Sequence, residues 1–424
     1  MTLSVTERVE GSPASTCNPK LADGPWEFDP QPGYGPGSSE ADPIPANTTY
    51  PGQLPQAYRD MSQEELHGRI RRAKATLAEK LLILGHFYQR DEVVQHADFL
   101  GDSYQLAKAA LSEPDAEHIV FCGVHFMAET ADILSGQHQQ VILPNLAAGC
   151  SMADMADEDS VEAAWEDICE VYGVNPENVE PGPDGKLPIL PVTYMNSSAA
   201  LKAFCGRHGG IVCTSSNATA VLEWAFARAH RVLFFPDQHL GRNTAKAMGI
   251  PVEQMPMWNP RRALGGNSPE DLQQAKVLLW HGFCSVHKRF TVSQIDKARA
   301  DYPGCRVIVH PESPMPVVDA ADAAGSTDAI RKYVAASAPG EVIAIGTEIN
   351  LVNRLAAEYP DRTIFCLDPV ICPCSTMYRI HPGYLAWVLD ELVEGRSPNR
   401  ISVSPDVAAP ARLALDRMLA AAPK

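Results

Sequence analysis

The stretch CLDPVICPCSTMYRIHP, residues 366–382, carries Cys366, Cys372 and Cys374 within nine positions. Thiols this dense can bind a metal, yet Cys-Pro-Cys is too tight for a zinc knuckle and no C-x-x-C pair occurs in the chain. Two further cysteines, Cys150 in LAAGCSM and Cys284 in HGFCSVH, sit in Gly-containing loops just past apolar runs. One thiolate from each of three such places would suit zinc or an iron–sulfur cluster, and a missing fourth ligand would leave a position open to substrate. Cys122, Cys169, Cys205, Cys213, Cys305 and Cys366 lie within strand or helix patterns and read as small buried hydrophobes.

Other polar residues fall at recurring places. His86 and Tyr88, Tyr194 and Asn196, and His310 and Glu312 are charged or hydrogen-bonding pairs at the ends of apolar runs. Ser103, Ser215, Ser326 and Thr327 open helix-like segments, where hydroxyls and backbone N–H groups can cap or hold anions. Three such places suggest a substrate with several anionic groups. His125, His239, His281, His287 and Glu348 are looser candidates, mostly structural.

The elements that must carry these residues are short apolar runs alternating with helical patterns. LLILGH, HIVFCG, QVILPN, LPILPVTY, GGIVCTS, RVLFFPD, KVLLWHG, RVIVHPE, EVIAIGT and TIFCLD have the character of parallel strands buried on both faces. Ser62 is placed to cap the first folded helix, which has acids in its first turn. A four-part order recurs three times: strand with polar pair, hydroxyl turn and helix, strand, strand with cysteine loop. The expected fold is α/β: three similar parallel-sheet αβα domains about a pseudo-threefold axis, with strand ends facing a central site. The expected segments are a Pro/Gly-rich extension at 1–60, then domains at 61–190, 191–300 and 301–424. The first domain contains an acidic insertion near 154–188, and the last ends in C-terminal helices.

The chain of 424 residues is 45% hydrophobic and 21% charged, with a net charge of −17 spread along it. Dispersed acidity argues against nucleic acid or an anionic membrane as partner. No apolar run is long enough to span a bilayer and no signal-peptide h-region is visible, so a cytoplasmic protein with free thiols is expected.

The motifs GHFYQRDEV, ADFLGDSYQLAKAA, GCSMADM, TYMNSSAALKA, CTSSNA, WHGFCSVH, HPE, GST and CSTMYRI together resemble the quinolinate synthase family over about residues 78–395. The resemblance implies a [4Fe-4S] cluster on three cysteines with one iron open. It assigns them to Cys150, Cys284 and, because a Met follows three positions later, Cys374 rather than Cys372. It implies condensation of iminosuccinate (iminoaspartate) with dihydroxyacetone phosphate to quinolinate, phosphate and water, and a functional link to L-aspartate oxidase. The implied substrate-binding residues are His86, Ser103, Tyr194, Met195, Asn196, Ser215, His310, Pro311, Glu312, Ser326 and Thr327. Glu312, Tyr88, Tyr194 and His310 carry the implied acid–base chemistry.

Overall fold

The computed structural model describes residues 54–368 and 373–421; Cys17 and Cys372 lie outside them. The first unit opens with α1 (Gln63–Leu77). Ser62 accepts the Glu65 amide and the Glu65 side chain returns to the Ser62 amide, as the sequence predicts. Leu66, Ile70, Ala73 and Leu77 form its buried stripe. Then follow β1 (Leu81–His86), β2 (Phe99–Gly101), α2 (Ser103–Ala109), β3 (His118–Cys122), α3 (His125–Leu134), β4 (Gln140–Ile142) and α4 (Glu158–Tyr172).

The second unit runs β5 (Leu190–Tyr194), α5 (Ala199–Arg207), β6 (Ile211–Cys213), α6 (Ala218–Phe226), β7 (Val232–Phe235), α7 (Gln238–Ala247), β8 (Met257–Trp258), β9 (Val277–Trp280) and α8 (Val292–Asp301). The third runs β10 (Arg306–Val309), β11 (Ala323–Ala324), α9 (Thr327–Ala335), β12 (Val342–Gly346), α10 (Ile349–Glu358), β13 (Thr363–Cys366) and α11 (Pro382–Val393). β14 (Arg400–Ile401) and α12 (Pro405–Ala420) close the described chain.

Three parallel-dominated sheets result, ordered β2-β1-β3-β4, β6-β5-β7-β9 and β11-β10-β12-β13, with β14 added beside β4 and β8 beside β9. In each, the chain reverses its direction of travel between the first and third strands of the unit. Open α/β sheets bind ligands at the carboxyl ends of strands flanking such a switch point. The polar pairs lie at the carboxyl ends of β1, β5 and β10, so the topology puts them there.

The acidic stretch expected as an insertion is an integral helix. In α4, Val161, Ala164, Trp165, Ile168 and Cys169 face inward, and Asp157 caps its start. Trp165 meets Phe204 edge to face at 5.8 Å, so the acids occupy only the outer side of a packed helix.

The segment 301–424 also divides differently from expectation. Nine of the twelve residues of α11 are buried, more than one sheet face can cover. The helix lies along α1, with Asp390 receiving bonds from Tyr58 and Arg69, both at 2.8 Å. β14 pairs antiparallel with β4, and α12 lies along α5 so closely that a Cβ on Gly206 would stand 1.8 Å from the Pro410 carbonyl oxygen. The chain thus returns from the third sheet to the first and second.

Candidate active site

Each unit ends in the same local device. Cys150, Cys284 and Cys374 each accept, through the carbonyl, the amide four residues on: Asp154 at 3.1 Å, Lys288 at 3.0 Å and Tyr378 at 2.9 Å. A 3₁₀ turn begins three residues past each cysteine, at Ala153, His287 and Met377. A helix begins eight residues past it, at Glu158, Val292 and Pro382. This common register selects Cys374 as the third equivalent thiol, and Cys366 belongs to β13.

The three thiols line one cavity together with His86, Tyr88, Ser103, Tyr194, Asn196, Ser215, His310, Glu312 and Thr327. They are half-buried because they face this internal space, yet they lie deep in the molecule. Burial pushes the Cys150 thiol up to about 12 and raises Cys284 and Cys374 as well; neighbouring thiols oppose ionisation of Cys150 and Cys284 further. Thiolates there call for a compensating cation. Among the described residues, the ligand atoms of Cys284, His287 and Glu312 lie within 4.8 Å of one another and could hold a metal ion.

A hydrogen-bonded chain crosses all three units. The Tyr194 hydroxyl donates to Glu312 Oε1 at 2.6 Å, and His287 Nδ1 meets Glu312 Oε2 at 2.7 Å. His287 Nε2 lies 3.1 Å from the Thr347 hydroxyl, which is 2.7 Å from the Tyr88 hydroxyl. His310 stacks on His287 with ring centroids 4.4 Å apart.

Burial works to raise the Glu312 pKa, but His310, His287 and the two hydrogen bonds hold it below the usual carboxylate range. The bonds decide this direction, because burial pushes His310 down to about 3 and leaves it neutral. An ionised Glu312 then requires the proton on His287 Nδ1. Burial followed by the Glu312 charge raises Tyr194 and Tyr88 well above their ordinary value, so both are phenols that can donate. His86 and His310 each accept at Nδ1 from the amide two residues on, at 3.1 and 3.3 Å, so each carries its proton on Nε2.

Two buried polar atoms lining this space have no partner: Asn196 Oδ1 and Thr327 Oγ1. Such atoms are costly to leave unpaired, so they are ready acceptors or donors for a bound molecule. Thr327 is available because Ser326 takes the capping task, and Ser103 likewise because Asp102 caps α2.

A family model described as Quinolinate synthetase A protein matches residues 68–420. The chain belongs to the quinolinate synthase A family. A quinolinate synthase of Corynebacterium glutamicum is 69% identical over 390 residues, 92% of this chain and 96% of the relative. Those of Rhodopirellula baltica and a Nocardioides species are 51% and 52% identical, covering 86% and 87% of this chain and 92% of each relative.

Within this quinolinate synthase fold, three residues expected at the site stand behind it. Met195 is buried with its sulfur 3.5 Å from Thr130 Oγ1, the Pro311 carbonyl accepts from Asn243 at 2.8 Å, and Ser326 Oγ accepts the Ala329 amide. His125 instead neighbours Glu129 at 3.6 Å, and His281 is exposed. His287, expected as mainly structural, lies inside the hydrogen-bonded chain, and its place three residues after Cys284 was the available signal. Thr347 was not singled out; it follows β12 directly, the strand-end position that its sheet brings beside His310.

Proposed function

We propose that the cavity joins iminosuccinate to dihydroxyacetone phosphate, releasing one phosphate and two waters to leave the quinolinate ring, with a [4Fe-4S] cluster on Cys150, Cys284 and Cys374. The reading is carried by one observation: three equivalent thiols share a cavity with an acid–base chain and two unpartnered polar atoms.

The cluster, when bound, would supply an iron with an open position, a Lewis acid for the loss of water. The chain's own residues do the rest. Asn196 and Thr327 hold polar groups of the substrates, and the Nε2–H groups of His86 and His310 donate to oxygens. Glu312 accepts a proton during carbon–carbon bond formation or tautomerisation, and Tyr194 and His287 orient its two oxygens. Iminosuccinate is unstable in water, and L-aspartate oxidase is the enzyme type that supplies it.

A second reading, a single divalent ion on Cys284, His287 and Glu312, rests on the closeness of those atoms. Anaerobic isolation separates the two. Brown protein with about four irons and four sulfides per chain, forming quinolinate from the two substrates, supports the first. Zinc without sulfide supports the second.

A further inference from the structure

Helices α7 and α10 occupy equivalent places and each begins with an acid, Asp237 and Glu348, both 0% exposed. Each acid uses both oxygens. Asp237 Oδ1 accepts the Leu240 amide at 2.7 Å, an ordinary cap, while Oδ2 accepts the backbone amide of Cys284 at 3.2 Å. Glu348 Oε2 accepts the Asn350 amide at 2.8 Å, and Oε1 accepts the Cys374 amide at 3.2 Å and the Asn350 side chain at 2.9 Å. Capping uses one acceptor oxygen; the other goes to the cysteine in both units.

The two acids differ in length and still perform the same pair of tasks, so the shared requirement is an acceptor with two oxygens. A side-chain amide has one. The first unit has Val124 at the equivalent position, with no acceptor side chain. Its cysteine loop is held through Asn145, whose Oδ1 accepts the Ala147 amide at 2.9 Å and whose Nδ2 donates to the Arg379 carbonyl at 3.0 Å.

We propose that Asp237 and Glu348 are positioning residues that fix the thiols of Cys284 and Cys374 by clamping their backbone amides to the helix behind them. A thiol's place follows from its residue's backbone and one rotamer, so a pinned amide removes most of the freedom that would let the ligand drift. The inference rests on the reading of these thiols as cluster ligands.

The test uses the full chain freed of metal under reducing, anaerobic conditions, with iodoacetamide labelling of each cysteine followed by peptide mass spectrometry. Asp237→Ala should speed labelling of Cys284 roughly three- to tenfold, the factor one net hydrogen bond carries, and leave Cys374 at the wild-type rate. Glu348→Ala should do the reverse, and Asp237→Glu and Glu348→Asp should restore slow labelling. Unchanged rates, or an equal rise at all three thiols, would overturn the clamp. Iron and sulfide on the wild type are counted separately. A wild type without cluster but with this selective pattern keeps the clamp and removes the ligand reading; a cluster-bearing wild type with unselective labelling does the opposite.

Discussion

Tyr194 ends a strand of one sheet and Glu312 follows a strand of another, yet the phenol donates to the carboxylate at 2.6 Å. The carboxylate proposed as the base is therefore oriented by a neighbouring unit. Glu312→Gln should lower kcat about 10²- to 10⁴-fold, the usual range for a general base, while iron and sulfide stay at wild-type levels. Anaerobic turnover beside a metal count checks it. Full turnover with the cluster intact would remove Glu312 from proton transfer.

The common register of the three cysteine turns gives a sharper expectation. Serine at Cys150, Cys284 or Cys374 should each abolish stoichiometric iron and quinolinate formation. Serine at Cys366 should keep both, because its thiol lies on β13, 3.6 Å from the Thr347 carbonyl oxygen. Serine at Cys372 should also keep both, and loss of the cluster there would mean the wrong thiol has been chosen.

Asn196 Oδ1 and Thr327 Oγ1 are buried without partners. Thr327→Val should raise KM about tenfold, equivalent to roughly 1.4 kcal/mol, for the substrate whose polar group it meets. The same change should leave thermal stability equal or higher, since an unpaired hydroxyl disappears from the interior. A fall in Tm with unchanged KM would assign the residue to the fold alone.

Lys202 is fully buried, donating to the Ser197 carbonyl and lying 5.5 Å from the Phe126 ring centre. Burial lowers its pKa from 10.5 to about 8, so the folded state binds this proton more weakly than the unfolded chain. The penalty is fully present below pH 8 and is relieved as pH rises to 10.5. In denaturant melts, wild type should gain up to about 3 kcal/mol on Lys202→Met across that interval. A constant difference would show that the ammonium is compensated.

Gly206 leaves no room for a side chain against Pro410. Gly206→Val should cost about 1–3 kcal/mol by forcing α12 away from α5, measured as a lower denaturation midpoint. An unaffected midpoint would mean that the helix pair tolerates separation.

All ten short apolar runs in the sequence became strands, because burial of most of these strands on both faces writes itself into composition. β2, β8, β11 and β14 were not legible: each has two or three residues and lies at a sheet edge, where a neighbour's hydrogen bonds decide the conformation. The cavity-lining residues announced themselves as polar ends of apolar runs. Asp237 and Glu348 look like ordinary helix caps in sequence, and only the fold brings their second oxygen to a cysteine amide. The C-terminal return was hidden for a related reason. An apolar helix such as α11 states that it needs partners without stating which.

That return has a consequence for the order in which the molecule can be made. Synthesis proceeds from the N-terminus, so the first sheet emerges without β14 on its edge, and α1 without α11 along its apolar stripe. Both covers are translated after every other strand of the three sheets. A nascent chain therefore carries uncovered apolar surface and an unpaired strand edge until these segments emerge, the features that invite association between unfinished chains. Slowing translation should make this chain more dependent on chaperones than its finished stability suggests.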